Sequence, residues 1–191
     1  MARGANSSEA GSDSSSDEID TTAPASAPAR AAPMAAAWNQ KLADETKVKE
    51  TRAEAESGDG EAMYLLGRWY GLGTNGLAKD VAQASAWFER SAAARYPKGI
   101  AAFGHYLLEG LGGPQDNVFG IMNVTEAAGL GSDHAACILG NAFIKGKFGL
   151  PKDPVRARYW LKKIADGECA HKHLNEAGKA KAAELLRELD D

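Results

Sequence analysis

Histidine, cysteine and serine side chains are the groups in this 191-residue chain that could do chemistry. His134 and Cys137 stand three residues apart, and Cys169, His171 and His173 follow in a second short segment. Imidazole and thiolate are ligands of Zn²⁺, but a structural site needs four of them at about 2.0–2.3 Å. These spacings are irregular, and packed helices lie about 8–10 Å apart. We therefore expect no metal and no other cofactor, and interpret these residues as surface histidines and reduced thiols.

The serine residues offer no better case for catalysis. Ser85, Ser91 and Ser132 have no histidine at a spacing typical of an activated nucleophile. The chain also lacks the Gly-x-Ser-x-Gly, Walker-type and His-Glu-x-x-His motifs. The sequence therefore predicts that the protein is not an enzyme. A hydrolytic, metal-binding or small-ligand-binding protein remains an alternative, for which turnover or bound metal in purified protein would be the evidence.

Charge is distributed unevenly along the chain, whose formal net charge is −4. Residues 1–60 carry six basic and eleven acidic side chains, which leaves about +1 for the rest. A nearly neutral remainder has no broad basic face, so we expect no nucleic-acid partner. Neither a signal-like apolar stretch nor a run of about 20 apolar residues occurs. We expect no membrane span and a cytoplasmic or nuclear location.

The N-terminal residues 1–36 are rich in Ser, Ala, Asp, Glu and Pro and contain almost no large apolar side chain. Such a segment cannot bury enough apolar surface to offset the entropy of ordering, so we predict a disordered acidic tail. Ser14 and Ser15 each have an acid three residues on, as in the sites of acidophilic kinases, and are candidate phosphorylation sites. The alternative is a tail that only solubilises the chain.

Helix formers dominate from Trp38 onward, and we predict an N-terminal capping helix over residues 37–57. Residues 169–191 contain a second apolar stripe with a polar opposite face and predict a C-terminal capping helix. Between the two, the sequence repeats itself every 36 or 37 residues, in units at about 61–97, 98–132 and 133–168. The recurring residues are Leu66, Gly67, Tyr70, Gly73, Asp80 and Trp87; Phe103, Gly104, Leu107, Gly110 and Asp116; and Leu139, Gly140, Phe143, Gly146, Asp153 and Trp160.

Each unit is predicted to form two antiparallel helices. The first glycine of each unit stands where a neighbouring helix must come close, and the second ends the first helix in the left-handed conformation. Asp80, Asp116 and Asp153 suit the N-cap of the second helix, where a carboxylate accepts backbone N–H bonds. Pro154 suits the first helical position, since its missing N–H is not needed there.

The pattern Leu-Gly-x-x-Tyr-x-x-Gly, then Asp, then Ala-x-x-Trp, resembles the Sel1-like repeat, a relative of the tetratricopeptide repeat. Units one and three match well, whereas in unit two Gly120 replaces the Ala and Asn123 replaces the Trp. The resemblance implies an all-α solenoid of about three helix-turn-helix repeats. It also implies a non-catalytic adaptor or scaffold, because the family serves as adaptors in quality control, signalling and cell-wall synthesis.

By analogy with tetratricopeptide geometry, a partner would bind the concave face formed by the first helices. The predicted contact residues are Glu61, Tyr64, Arg68, Leu72, Lys98, His105, Glu109, His134, Asn141 and Lys145. Spacings of three and four place those of each unit on one helix face. We expect this face to bind a segment of another protein, and the chain alone to be monomeric. Ordinary solvated surface, or a structural subunit of a larger assembly, are the alternatives.

Overall fold

The computed structural model describes residues 31–166 and 176–189, and within these ranges the chain forms eight α-helices and no strand. The helices are α1 (Ala31–Glu56), α2 (Gly60–Leu72), α3 (Val81–Ala93), α4 (Pro97–Glu109), α5 (Asn117–Gly129), α6 (Asp133–Lys145), α7 (Pro154–Ala165) and α8 (Glu176–Glu188). Helix α1 begins six residues before the predicted position 37. The chain divides into two units, Met1–Ala37 and Trp38–Asp191, and the repeats belong to the second. Ser14, Ser15, Cys169, His171 and His173 lie outside the described residues.

Three helical hairpins, α2–α3, α4–α5 and α6–α7, follow one another along the chain. Each first helix packs on its own second helix and on the next first helix, so that α2, α4 and α6 form one continuous layer. Helix α8 packs on both α7 and α6, which is the place that the first helix of a fourth unit would take. The architecture is the predicted all-α solenoid, and α8 covers the last hydrophobic face of the stack.

Local side-chain chemistry sets where the helices begin and end. The carboxylates of Asp80, Asp116 and Asp153 accept a backbone N–H three residues on, at 2.9, 2.9 and 3.0 Å. These three predicted N-caps are therefore confirmed, as is Pro154 in the first turn of α7. The first helices end at left-handed glycines, as predicted: Gly73, Gly110 and Gly146. Every hairpin connection therefore begins at a left-handed glycine and ends at a capping Asp, although the connection in unit two is one residue shorter.

The first glycine of each unit lies where the two helices of a hairpin come closest, as predicted. A β-carbon on Gly140 would lie 2.8 Å from Cδ2 and Cγ of Leu161 on α7. One on Gly104 would lie 2.8 Å from Val124 and 3.0 Å from the backbone oxygen of Gly120. Real carbon contacts are longer than this, so each hairpin closes only because these side chains are absent.

Helix α1 contacts the repeats through its C-terminal turns. Thr51 and Ala55 are buried, and Arg52 donates a hydrogen bond to the hydroxyl of Tyr70 at 2.7 Å. Trp38 and Leu42, by contrast, are 67% and 55% exposed. The C-terminal part of α1 thus caps the first repeat, while its N-terminal turns present apolar side chains to solvent.

Candidate partner-binding groove

A cavity of about 360 Å³ lies along the layer of first helices. Helices α2, α4 and α6 each contribute side chains to it, and Phe88 reaches it from α3. The lining residues are Glu61, Tyr64, Leu65, Arg68, Phe88, Lys98, Ala101, Ala102, His105, Tyr106, Ser132, Asp133 and His134. Because all three repeats contribute, the groove exists only when the units are stacked.

Aromatic rings form one wall of this groove. The ring of Tyr64 lies with its centroid 5.9 Å from that of Phe88 and 5.7 Å from that of Tyr96. Phe88 in turn meets the ring of Tyr106 edge to face, at 4.9 Å. Such tilted pairs contribute about 0.5–1.5 kcal/mol beyond the area that they bury. The wall is therefore rigid, since each ring is held by another.

Phenol groups of this wall remain neutral at physiological pH. Burial raises the pKa of Tyr64, and the charge of the nearby Arg68 guanidinium partly opposes this shift. Burial and the neighbouring carboxylate of Glu61 raise the pKa of Tyr96 to about 12. Arg68 also lies 5.9 Å from the ring centroid of Tyr64, within reach of a cation–π contact.

Two histidines meet at the far end of the groove, where α4 passes the first turn of α6. The imidazoles of His105 and His134 lie with their centroids 5.6 Å apart and their planes nearly perpendicular. The protein atoms around the partly exposed His134 imidazole lower its pKa, and His105 lowers it further, while Asp133 opposes both. His134 is therefore neutral at pH 7 and presents one donor and one acceptor nitrogen.

Six of the ten predicted contact residues lie together in this groove, and four do not. The six are Glu61, Tyr64, Arg68, Lys98, His105 and His134. The four that lie elsewhere are Leu72, Glu109, Asn141 and Lys145. Leu72, Glu109 and Lys145 are exposed near the C-terminal ends of their helices, whereas Asn141 is half-buried. Its Oδ1 is buried and has no hydrogen-bond partner in the part of the chain that is described.

Residues at equivalent positions of the three repeats do not simply lie side by side in the structure. Repeat register makes His105 the equivalent of Arg68 in unit one and Asn141 in unit three, but the structure places its ring against His134, which is not an equivalent position. The sequence also missed Tyr106 and Asp133, because the three-and-four spacing selects one narrow face of each first helix. It missed Phe88 because this residue reaches the groove from the second helix α3. Aromatic content beside that face is the signal that could have indicated Phe88 and Tyr106.

Residues that could hold a metal do not converge in the described ranges, where no group of three or more His, Cys, Asp or Glu is found. The predicted second segment of ligands lies in the undescribed stretch 167–175, so the structure does not test the metal site. None of the helices in residues 31–166 and 176–189 is long and apolar enough to cross a membrane.

Comparison with known proteins agrees with the repeat architecture. The Sel1 repeat matches residues 60–96, 99–132 and 133–168, within one residue of the boundaries predicted from the sequence. The structure is similar to the crystal structure of a Sel1 repeat protein from Oxalobacter formigenes, at 32% identity and a TM-score of 0.56, over 62% of this chain and 89% of that chain. A protective antigen of uropathogenic Escherichia coli with an SLR fold, c5321, matches at 21% identity and a TM-score of 0.44, over 75% of this chain and 41% of that chain.

Among curated proteins, none matches the chain significantly. The three Sel1 matches cover more than half of its length and coincide with the three helical hairpins. The chain therefore belongs to the Sel1 repeat family.

Proposed function

We propose that this protein is a non-catalytic adaptor that binds an extended segment of another protein in the groove formed by α2, α4 and α6. The observation that carries the proposal is that one cavity is lined from three successive repeats. An extended peptide laid across the helices would contact all three, and a concave surface buries more of such a ligand than a flat one.

The groove offers an apolar anchor and directional polar groups side by side. Tyr64, Phe88 and Tyr106 provide aromatic surface of the type enriched at interaction hot spots. Arg68 is exposed and can donate in forked geometry to a carboxylate or to backbone carbonyls. The neutral His134 adds hydrogen-bonding capacity without charge.

Charged side chains of both signs line the same groove. Glu61 and Asp133 are acidic, whereas Arg68 and Lys98 are basic. Mixed signs favour a partner with a matching pattern of charges over a generic polycation or polyanion. We therefore expect the partner to be a protein segment with an apolar residue flanked by an acid and a base.

The test begins with affinity capture by the full chain and identification of the captured proteins by mass spectrometry. We expect Tyr64→Ala combined with Arg68→Ala to weaken binding of the captured partner at least tenfold, or about 1.4 kcal/mol, by calorimetry. Arg68→Glu alone reverses the charge of an exposed side chain and should also weaken binding of the captured partner. Circular dichroism should show unchanged helix content in each.

A matched control is Lys162→Ala, on the exposed face of the second helix α7. It should bind the partner as the unmodified chain does. Loss of binding in Lys162→Ala, with retention in both groove variants, would show that the groove is not the binding surface.

A second candidate function, a subunit of a larger assembly, is favoured by exposed apolar side chains outside the groove. Phe119 and Met122, three residues apart on α5, are 47% and 61% exposed and line one surface cavity. Large exposed apolar groups on a soluble protein indicate contacts with other chains when they form a continuous patch.

A further inference from the structure

A second and larger cavity, of about 820 Å³, lies between the second helices α3 and α5. We name it the α3–α5 cavity. Ile100 and Phe103 of α4 line it together with Phe119 and Met122 of α5, which are 47% and 61% exposed. Its volume lies within the roughly 300–1,000 Å³ of pockets that bury drug-sized ligands. The cavity therefore has room for an aromatic side chain and the helix turn that carries it.

The repeat itself explains why the cavity is present in unit two. Units one and three place Trp87 and Trp160 seven residues after the capping Asp, whereas unit two has Asn123 there. The side chain of Asn123 lines the cavity and its amide donates back to the carbonyl of Phe119 at 2.8 Å. A short amide thus stands where the other units place an indole.

The charge near this position is also reversed in unit two. Three residues after the Trp, Arg90 lies 4.2 Å from the ring centroid of Trp87, and Lys163 lies 5.7 Å from a ring of Trp160. The equivalent residue in unit two is Glu126, which lines the cavity and pairs with Arg95 at 2.5 Å. Glu89 adds a second, exposed carboxylate at the rim. Unit two therefore lacks the ring and the cation at these two positions. The cavity is lined instead by the exposed carboxylate of Glu89 and by the Glu126 carboxylate, which Arg95 already pairs.

The aromatic ring and the cation that unit two lacks at these positions occur together near the exposed N-terminal end of α1. Trp38 and Lys41 have the same three-residue spacing as Trp87 and Arg90, on a continuous helix. Trp38 is 67% exposed, and Lys41 makes a long, solvent-exposed contact with Glu45 at 3.9 Å. An indole and an ammonium group in the required spacing are thus available on the surface of every copy of this chain.

We propose that the helical turn Trp38–Lys41 of one copy docks in the α3–α5 cavity of a second copy. The indole then takes the place beside Asn123 that Trp87 and Trp160 fill in the other units. The ammonium group approaches the exposed carboxylate of Glu89 at the rim. The proposal is independent of the groove between the first helices, which stays accessible.

The docked surfaces differ from each other, so the contact is heterologous and can propagate into a ring or an open chain of copies. A contact of one helical turn is far below the roughly 1,000 Å² of a stable interface. We expect a dissociation constant on the order of 10⁻⁴ M. The chain is then monomeric at low concentration, as its sequence predicts, and associates when it is concentrated.

Sedimentation equilibrium of the full chain from about 1 µM to 1 mM tests the proposal. The average mass should rise with concentration, and Trp38→Ala should weaken association at least tenfold. Asn123→Trp should also weaken it, because the indole fills the cavity from within, and should raise Tm by about 2–4 °C. Met122→Lys closes the same site by charge, should Asn123→Trp fold poorly. Asn123→Ala should associate as the unmodified chain does.

Mixing two variants gives the sharpest outcome. Trp38→Ala keeps its cavity, and Asn123→Trp keeps its exposed indole, so neither associates alone but the mixture should form a 1:1 dimer. The control Tyr159→Ala removes another exposed aromatic ring and should not affect association. Arg68→Glu, in the groove, should not either. A constant monomer mass up to 1 mM, or no dimer in the mixture, would overturn the proposal.

Discussion

Substitution of Gly140 tests whether close helix packing holds each repeat together. Gly140 lies in the middle of α6 and faces Leu161 of α7, which is fully buried. A β-carbon at position 140 would lie 2.8 Å from two side-chain carbons of Leu161, about 1 Å inside normal carbon contact. Because Leu161 is enclosed by the core, it cannot rotate away without displacing its neighbours.

Two opposing free-energy contributions decide how far Gly140→Ala changes the free energy of unfolding. Replacing a mid-helix glycine by alanine favours the helix by about 1 kcal/mol. Overpacking a filled core costs about 1–3 kcal/mol. Gly140→Ala should therefore be neutral or destabilising by up to about 2 kcal/mol. Gly140→Leu adds three further carbons at the same contact and should lower the free energy of unfolding by more than about 2 kcal/mol.

Urea unfolding followed by circular dichroism measures both variants. Gly129 at the end of α5 offers a matched control, because a β-carbon there would meet nothing within 4 Å, so Gly129→Ala should cause no loss. Leu161→Ala should cost about 2–5 kcal/mol alone, and less when combined with Gly140→Ala, since the smaller side chain removes the clash. An unchanged midpoint for Gly140→Leu, or simple additivity of Gly140→Ala and Leu161→Ala, would refute the close-approach reasoning.

Two further predictions follow from local chemistry. Asp153→Ala removes the acceptor of the Arg156 N–H and should lower the free energy of unfolding by about 0.5–2 kcal/mol. Asp153→Ser keeps a capping oxygen and should retain most of the stability of the unmodified chain. Equal losses for the two variants in urea unfolding would contradict the capping role. The surrounding protein atoms and His105 lower the pKa of the partly exposed His134 imidazole, so the unfolded chain binds this proton more readily. Stability should then fall as the pH drops from about 7 through 6.5 to 5, and His134→Gln should flatten that slope; an equal slope in both chains would contradict it.

The fold could be predicted from the sequence because its determinants are local and occur three times. Asp80 and its two equivalents cap helices wherever they stand, since the hydrogen bond spans three residues. Gly73 ends a helix because it adopts a left-handed conformation with φ near +70°. These signals do not depend on distant parts of the chain, and repetition distinguishes them from chance.

The groove could be predicted only in part, because it depends on how helices lie across one another. Spacing within α2 correctly groups Glu61, Tyr64 and Arg68 on one face. Spacing cannot show that α6 meets α4 in a diagonal register, which brings His134 against His105. That register is set by side-chain volumes at the helix contacts, and sequence periodicity does not contain it.

The three repeats also serve as internal controls for one another, because the same backbone carries different side chains in each. A buried aromatic residue such as Trp87, which is 7% exposed, contributes several kcal/mol to a core, and leaving its equivalent place open forgoes that contribution. Unit two forgoes it at Asn123 and leaves Met122 exposed, although the fold accommodates an indole there twice. The backbone does not require this departure. A binding role for the open site accounts for this departure. Asn123→Trp fills the site and separates the two properties, because association should weaken while stability rises.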